Sequence, residues 1–93
     1  MNTKQAEEQL KNVCRFKHLS IQTERAYLHW YWRYAAFAKT RQDADRETKV
    51  RGFLTHLARD RNVSPSTQAQ ALNAIVFFYK HVVGRPLGDI GDF

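Results

Sequence analysis

Two helical stripes carry the side chains of this 93-residue chain that are best suited to chemistry. Projection at about 100° per residue sets Gln22, Arg25, His29 and Arg33 on one face of a helix whose opposite face is aromatic. The same projection of a later helix aligns Ser66, Gln70, Asn73 and Lys80, with Phe77 among them. Cations neutralise phosphates, while amides and hydroxyls bond to phosphate oxygens or base edges. Each helix begins with a hydroxyl-rich turn, Ser20 to Thr23 and Ser64 to Thr67. A serine at such a position caps the helix by accepting an orphan backbone N–H. The helix N-terminus also aims free N–H groups and a partial positive charge outward, which suits a phosphate. Capping and phosphate contact are compatible roles.

Other chemistry finds less support. Cys14 and the four histidines, His18, His29, His56 and His81, show no paired ligand spacing, so neither a metal nor a cofactor is expected. Cys14 lies on an apolar stripe and reads as a small core residue. No Gly-rich loop precedes a helix, and no two carboxylates stand out as an acid/base couple. Six of the twelve aromatics fall between Tyr27 and Phe37. Bases stack on exposed rings in single-strand binders, but helical spacing assigns most of these six to a core. Trp32 and Phe77 lie off the main apolar stripes, so each either packs on another helix or docks a partner.

The elements that position these groups are four helices. Asn2 or Thr3 caps the first, which runs to about Phe16 with Ala6, Leu10, Val13 and Cys14 inward. Ser20 caps the second, which reaches about Lys39. Tyr27, Trp30, Tyr31, Tyr34, Phe37 and Ala38 form its wide stripe, and Leu28, Trp32 and Ala35 a second one, so it should sit between neighbours. The third spans roughly Arg46 to Arg61, burying Val50, Phe53, Leu54, Leu57 and Ala58. Ser64-Pro65 reads as N-cap and first residue of the fourth, whose inward face is Ala69, Leu72, Ile75, Val76, Tyr79, Val82 and Val83. Gly84 and Pro86 stop it. The tail from Leu87 resembles a linker. The fold class is all-α, a four-helix bundle with short connections, and the length allows one domain. No apolar run spans a bilayer, and one cysteine makes no internal disulfide. The formal net charge is +6, and the excess lies early: Lys11 to Arg41 holds seven Lys/Arg and one acid, Glu24. Such a balance favours an anionic partner such as nucleic acid.

Three strings in order then resemble one family. Ser20-Ile21-Gln22-Thr23-Glu24-Arg25-Ala26-Tyr27, with Trp30 and Arg33-Tyr34, is similar to the second helix of the N-terminal core-binding domain of tyrosine recombinases. Phe53-Leu54-Thr55-His56-Leu57-Ala58 with Asn62-Val63 continues it, and Ser66 to Ala74 with Phe78-Tyr79 is the strongest part. Among phage-integrase relatives the integron-type integrases look most alike. The resemblance implies a SAM-like domain over residues 1–86 whose second and fourth helices face DNA beside the strand-exchange site. Residues 87–93 would begin a linker to an absent catalytic domain that grips the other side. On the matching positions it implies DNA contacts by Ser20, Gln22, Thr23, Arg25, Arg33, Ser66, Thr67, Gln70 and Asn73. Lys17, His18 and Lys80 join them on charge and position. The expected partners are DNA, as duplex or folded single-strand hairpin, and the parent's catalytic domain. The expected setting is the cytoplasm of a bacterial or phage system, with a monomer in isolation and no cleavage by this chain. Two other readings compete. One is a helical protein-interaction module without nucleic-acid binding, driven by Trp32 and Phe77. The other is a small enzyme using His56 and Arg59, which fit the L-x-H-x-x-R box of the recombinase catalytic domain; core spacing of Leu54 and Leu57 explains that string without catalysis.

Overall fold

A computed structural model describes residues 2–90. It contains α1 (Thr3–Phe16), α2 (Ile21–Lys39), α3 (Arg46–Arg59), α4 (Pro65–Phe78) and a π-helical turn, Tyr79–Val83, that continues α4. The architecture is all-α, as expected, with no strand among the described residues.

The helix starts follow side-chain caps. Asn2 accepts from the Gln5 N–H at 2.8 Å while Gln5 accepts from the Asn2 N–H at 3.0 Å, a reciprocal capping box. Ser20, Asp45 and Ser64 accept the N–H groups of Thr23, Thr48 and Thr67. The bonds of Asp45 to Thr48 hold its carboxyl below the usual range. The α1 stop is also fixed. His18 adopts φ +57°, with its N–H on Arg15 O and the Leu19 N–H on Cys14 O. That is a Schellman closure with histidine in the left-handed position usually taken by glycine.

α2 runs through the centre and contacts α1, α3 and α4, as its two apolar faces require. One core cluster joins Trp30 and Tyr34 of α2 to Val50, Phe53, Leu54 and Leu57 of α3 and Ala71, Ala74 and Ile75 of α4. A second joins Ala6, Leu10 and Cys14 of α1 to Tyr31 and Val82. Burial, then the Glu24 charge, pushes the Cys14 thiol up, which keeps it protonated and inert.

Three expectations need correction. α3 ends at Arg59, and Ala58 is exposed; Asn62, at φ +51°, turns the chain away. Of the expected inward face of α4 and its continuation, Ile75 and Val82 are buried and Leu72 and Tyr79 pack on the core, but Ala69 and Val76 are exposed and Ala71 and Ala74 are buried instead. Ala71 and Ala74 join the core cluster that holds Trp30, and the apolar run from Ala74 to Tyr79 hides that choice from periodicity. The helix also widens at its end, so the residues after Phe78 are rotated from a straight α-helical projection. Gly84 stops it at φ +78°, with the Arg85 N–H on Tyr79 O. Residues 85–90 lie against the bundle. Arg46 donates to the carbonyls of Arg85 and Pro86, the latter at 2.8 Å, and Leu87 and Ile90 pack on the first cluster.

Candidate nucleic-acid interface

α2 and α4 are packed directly on each other. Tyr27 and Phe77 meet at 4.7 Å between ring centroids, and Tyr31 and Phe78 at 5.0 Å. Phe77 is thus a packing residue, half-buried between Tyr27 and His81. Trp32 is 42% exposed and faces α1, where its indole N–H donates to Glu7 Oε1 at 3.2 Å.

On the outer faces, the candidate residues fall into two groups. Gln22, Arg25, Ser66, Gln70 and Asn73 are exposed, and their side chains hold no hydrogen bond or ion pair to the described residues. The hydroxyl residues at the helix starts are engaged within the chain. Ser20 Oγ accepts the Thr23 N–H at 3.1 Å and donates to Thr23 Oγ1 at 3.0 Å. Ser64 repeats the pattern on Thr67, at 3.2 and 3.1 Å. Thr23 and Thr67 are half-buried, and what these turns present outward is mainly backbone N–H and dipole. Arg33 is partly covered, its guanidinium 4.9 Å from the centre of the Trp30 ring, a cation–π contact that holds the side chain across α2.

Lys17 and His18 follow the end of α1, and Lys80 lies in the π-helical turn that packs on α1. Spacing did not single out His81, which follows Lys80 in that turn. Desolvation, then the charges of Lys17 and Lys80, hold its imidazole below the ordinary value. Two lysines from distant positions therefore act on one histidine, and the fold bridges the α1–α2 corner to the end of α4 with cations. Glu24, the acid in the basic stretch, is buried and takes Arg15 Nε at 3.3 Å. Its charge is spent on tying α1 to α2, which leaves this side of the molecule cationic.

His56 and Arg59 stand apart. His56 Nδ1 is 3.0 Å from Asp60 Oδ2, its ring lies against Phe37, and Arg59 is exposed at the end of α3. Tyr79 is half-buried, with its hydroxyl 2.7 Å from that of Tyr34. Among the described residues, no group of three or more His, Cys, Asp or Glu could hold a metal ion, and no helix is long and apolar enough to cross a membrane.

The family model for the phage integrase N-terminal SAM-like domain matches residues 7–89. An integrase/recombinase of Escherichia coli is 42% identical over 77 residues, covering 82% of this chain and 23% of the relative. An integrase/recombinase of Pseudomonas aeruginosa matches with the same identity and coverage. The matched stretch thus spans about a quarter of these relatives. The chain belongs to the phage integrase N-terminal SAM-like domain family.

Proposed function

We propose that this chain is the DNA-gripping, core-binding domain of a tyrosine site-specific recombinase of integron-type affinity, acting beside the strand-exchange site in DNA integration. In this reading α2 and α4 lie along the duplex. Lys17, Arg25, Arg33 and Lys80 neutralise phosphates, and Gln22, Ser66, Gln70 and Asn73 bond to phosphates or base edges. His18 and the capped turns at Ser20–Thr23 and Ser64–Thr67 approach the backbone. Residues 1–86 form the binding domain and 87–93 lead toward a catalytic domain that closes the grip from the opposite side. That domain supplies the strand-cleaving chemistry, so this chain binds and leaves strands intact. A bacterial or phage setting, cytoplasmic work and a monomer in isolation go with the reading.

One observation carries it. Two mutually packed helices hold amide, hydroxyl and cationic side chains without protein partners, in a region whose one acid is buried in an ion pair. Groups of that chemistry left open match a phosphate-bearing ligand.

An NMR titration of the labelled chain with a short duplex tests the proposal. Shifts should cluster at Ser20–Arg33 and Ser66–Lys80 and fade as salt rises. A spectrum unmoved by DNA at low salt, with Trp32 broadened by self-association, would replace this reading with a protein-interaction module.

A further inference from the structure

The segment after the π-helical turn reads as a linker from its composition, with Gly84, Pro86 and Gly88 close together. The structure holds it as a strap. Residues 85–90 adopt no regular secondary structure, so their backbone groups need partners from elsewhere. Arg46, the first residue of α3, supplies two of the bonds. Its Nη1 donates to the Arg85 carbonyl and its Nη2 to the Pro86 carbonyl, the latter at 2.8 Å. The same guanidinium has Nε 3.1 Å from Glu47 Oε2 and lies 5.5 Å from the centre of the Tyr79 ring. Every nitrogen of the fork is therefore engaged. Glu47 Oε2 also accepts the Gly88 N–H at 3.4 Å. Leu87 and Ile90 are half-buried against the first core cluster, while Gly88 and Asp89 between them are exposed.

A flexible linker leaves its carbonyls to water and keeps no fixed contact with its domain. Here one arginine bonds two successive carbonyls, a task suited to a planar fork and poorly reproduced by the compact ammonium of a lysine. The attachments continue along the segment: Arg46 holds residues 85 and 86, and the core holds 87 and 90. Gly84, at φ +78°, and the Arg85 N–H bond to Tyr79 O fix where the segment starts. We infer that Arg46 is a positioning residue for the chain as it leaves the bundle: it straps residues 85–90 to the start of α3, and the pivot of the tail lies beyond Ile90 rather than at Leu87. The inference deepens the DNA reading above, on which its consequence rests. A domain that follows approaches the duplex from a fixed exit beside α3, instead of swinging on a coil that begins where the π-helical turn ends.

The test is NMR relaxation of the backbone amides in the 93-residue chain without DNA, comparing wild type with Arg46→Lys and Arg46→Ala. In the wild type, the amides of Arg85 and of Leu87 to Ile90 should have order parameters near the rigid-backbone value of about 0.85. Arg46→Ala should lower them below about 0.6, the flexible range, with the four helices unchanged. Arg46→Lys should fall between the two, and it carries the comparison if Arg46→Ala does not fold. Wild-type values already in the flexible range would overturn the strap. Unchanged values in Arg46→Ala, or in Arg46→Lys where that variant carries the comparison, would overturn the role of Arg46 and leave the segment to Leu87 and Ile90. A loss shared by all four helices in Arg46→Lys would make Arg46 a residue of general stability and overturn its positioning role. Failure of the duplex titration described above would overturn the DNA reading and the consequence for a following domain, while the order parameters still decide the anchor.

Discussion

Glu24 and Tyr79 show how single side chains support a face they do not join. Glu24 is buried while its partner Arg15 stays 67% exposed, so the pair is half solvated and weaker than a fully buried one. Glu24→Ala should destabilise the chain by about 1–2 kcal/mol, the range of a charged hydrogen bond discounted for that exposure. Because it also frees Arg15, DNA affinity at low salt should hold or rise. Chemical denaturation and a DNA titration of the same variant check both halves. The tyrosines set an alkaline limit. Burial, followed by the bond to Tyr79, pushes the Tyr34 phenol far up; burial raises Tyr79, and burial followed by the Glu7 charge raises Tyr31. The folded state thus holds these protons more tightly than the unfolded chain. That stabilisation is complete below the ordinary phenol value near 10 and is lost as pH rises beyond it. Circular-dichroism melts should fall steeply above that pH, and less steeply in the Tyr34→Phe/Tyr79→Phe double variant. Tyr79 could be read from spacing as inward-facing; its hydroxyl partner, 45 residues earlier, could not.

At the scale of elements, legibility followed local chemistry. α1 begins and ends, and α2 begins, where Asn2, the Lys17–Leu19 turn and Ser20 dictate, and side-chain caps are written within a few neighbouring residues. α4 was legible at its start, Ser64-Pro65, and at its stop, Gly84, but only in part of its face: Ile75 and Val82 are inward as read, while Ala71 and Ala74 take the place of Ala69 and Val76. Its packing places Ala71 and Ala74 in one core cluster with residues of α2 and α3, and its phase changes at the π-helical turn. Both are tertiary outcomes that no window of α4 contains. The candidate site divides the same way: the stripes of α2 and α4 could be projected, whereas the action of Lys17 together with Lys80 on His81 needed the fold. Gly84→Ala should destabilise by about 1 kcal/mol in denaturation, since a Cβ there meets nothing within 4 Å and the penalty is the φ of +78° alone. Ser20→Asp separates the two roles of the α2 start. Aspartate caps as well as serine and suits the dipole, so stability should stay within about 0.5 kcal/mol of wild type. Its charge should repel a phosphate and weaken DNA binding several-fold. Unchanged binding would make Ser20 a cap and nothing more.

The whole molecule measures 34 × 29 × 22 Å, so its longest dimension matches about one turn of duplex, roughly ten base pairs. One face of that size reaches only a few phosphates. The candidate cations on it are Lys17, Arg25, Arg33 and Lys80, while α3 carries charges of both signs and no candidate contact. Each neutralised phosphate on B-DNA contributes about −0.9 to the slope of log affinity against log salt. Four full contacts give about −3.6, and partial engagement of neighbouring cations sets a range of about −3 to −5. The distribution of charge, rather than its total, is what this measurement reads. Arg25→Ala should make the slope shallower by close to one such step, because its exposed guanidinium has no protein partner to lose. Arg51→Ala removes the same unit of net charge from an exposed position on α3. It should leave the slope where it was. Equal flattening by both variants would mean that the chain binds as a diffuse polycation, and the assignment of the duplex to α2 and α4 would fall.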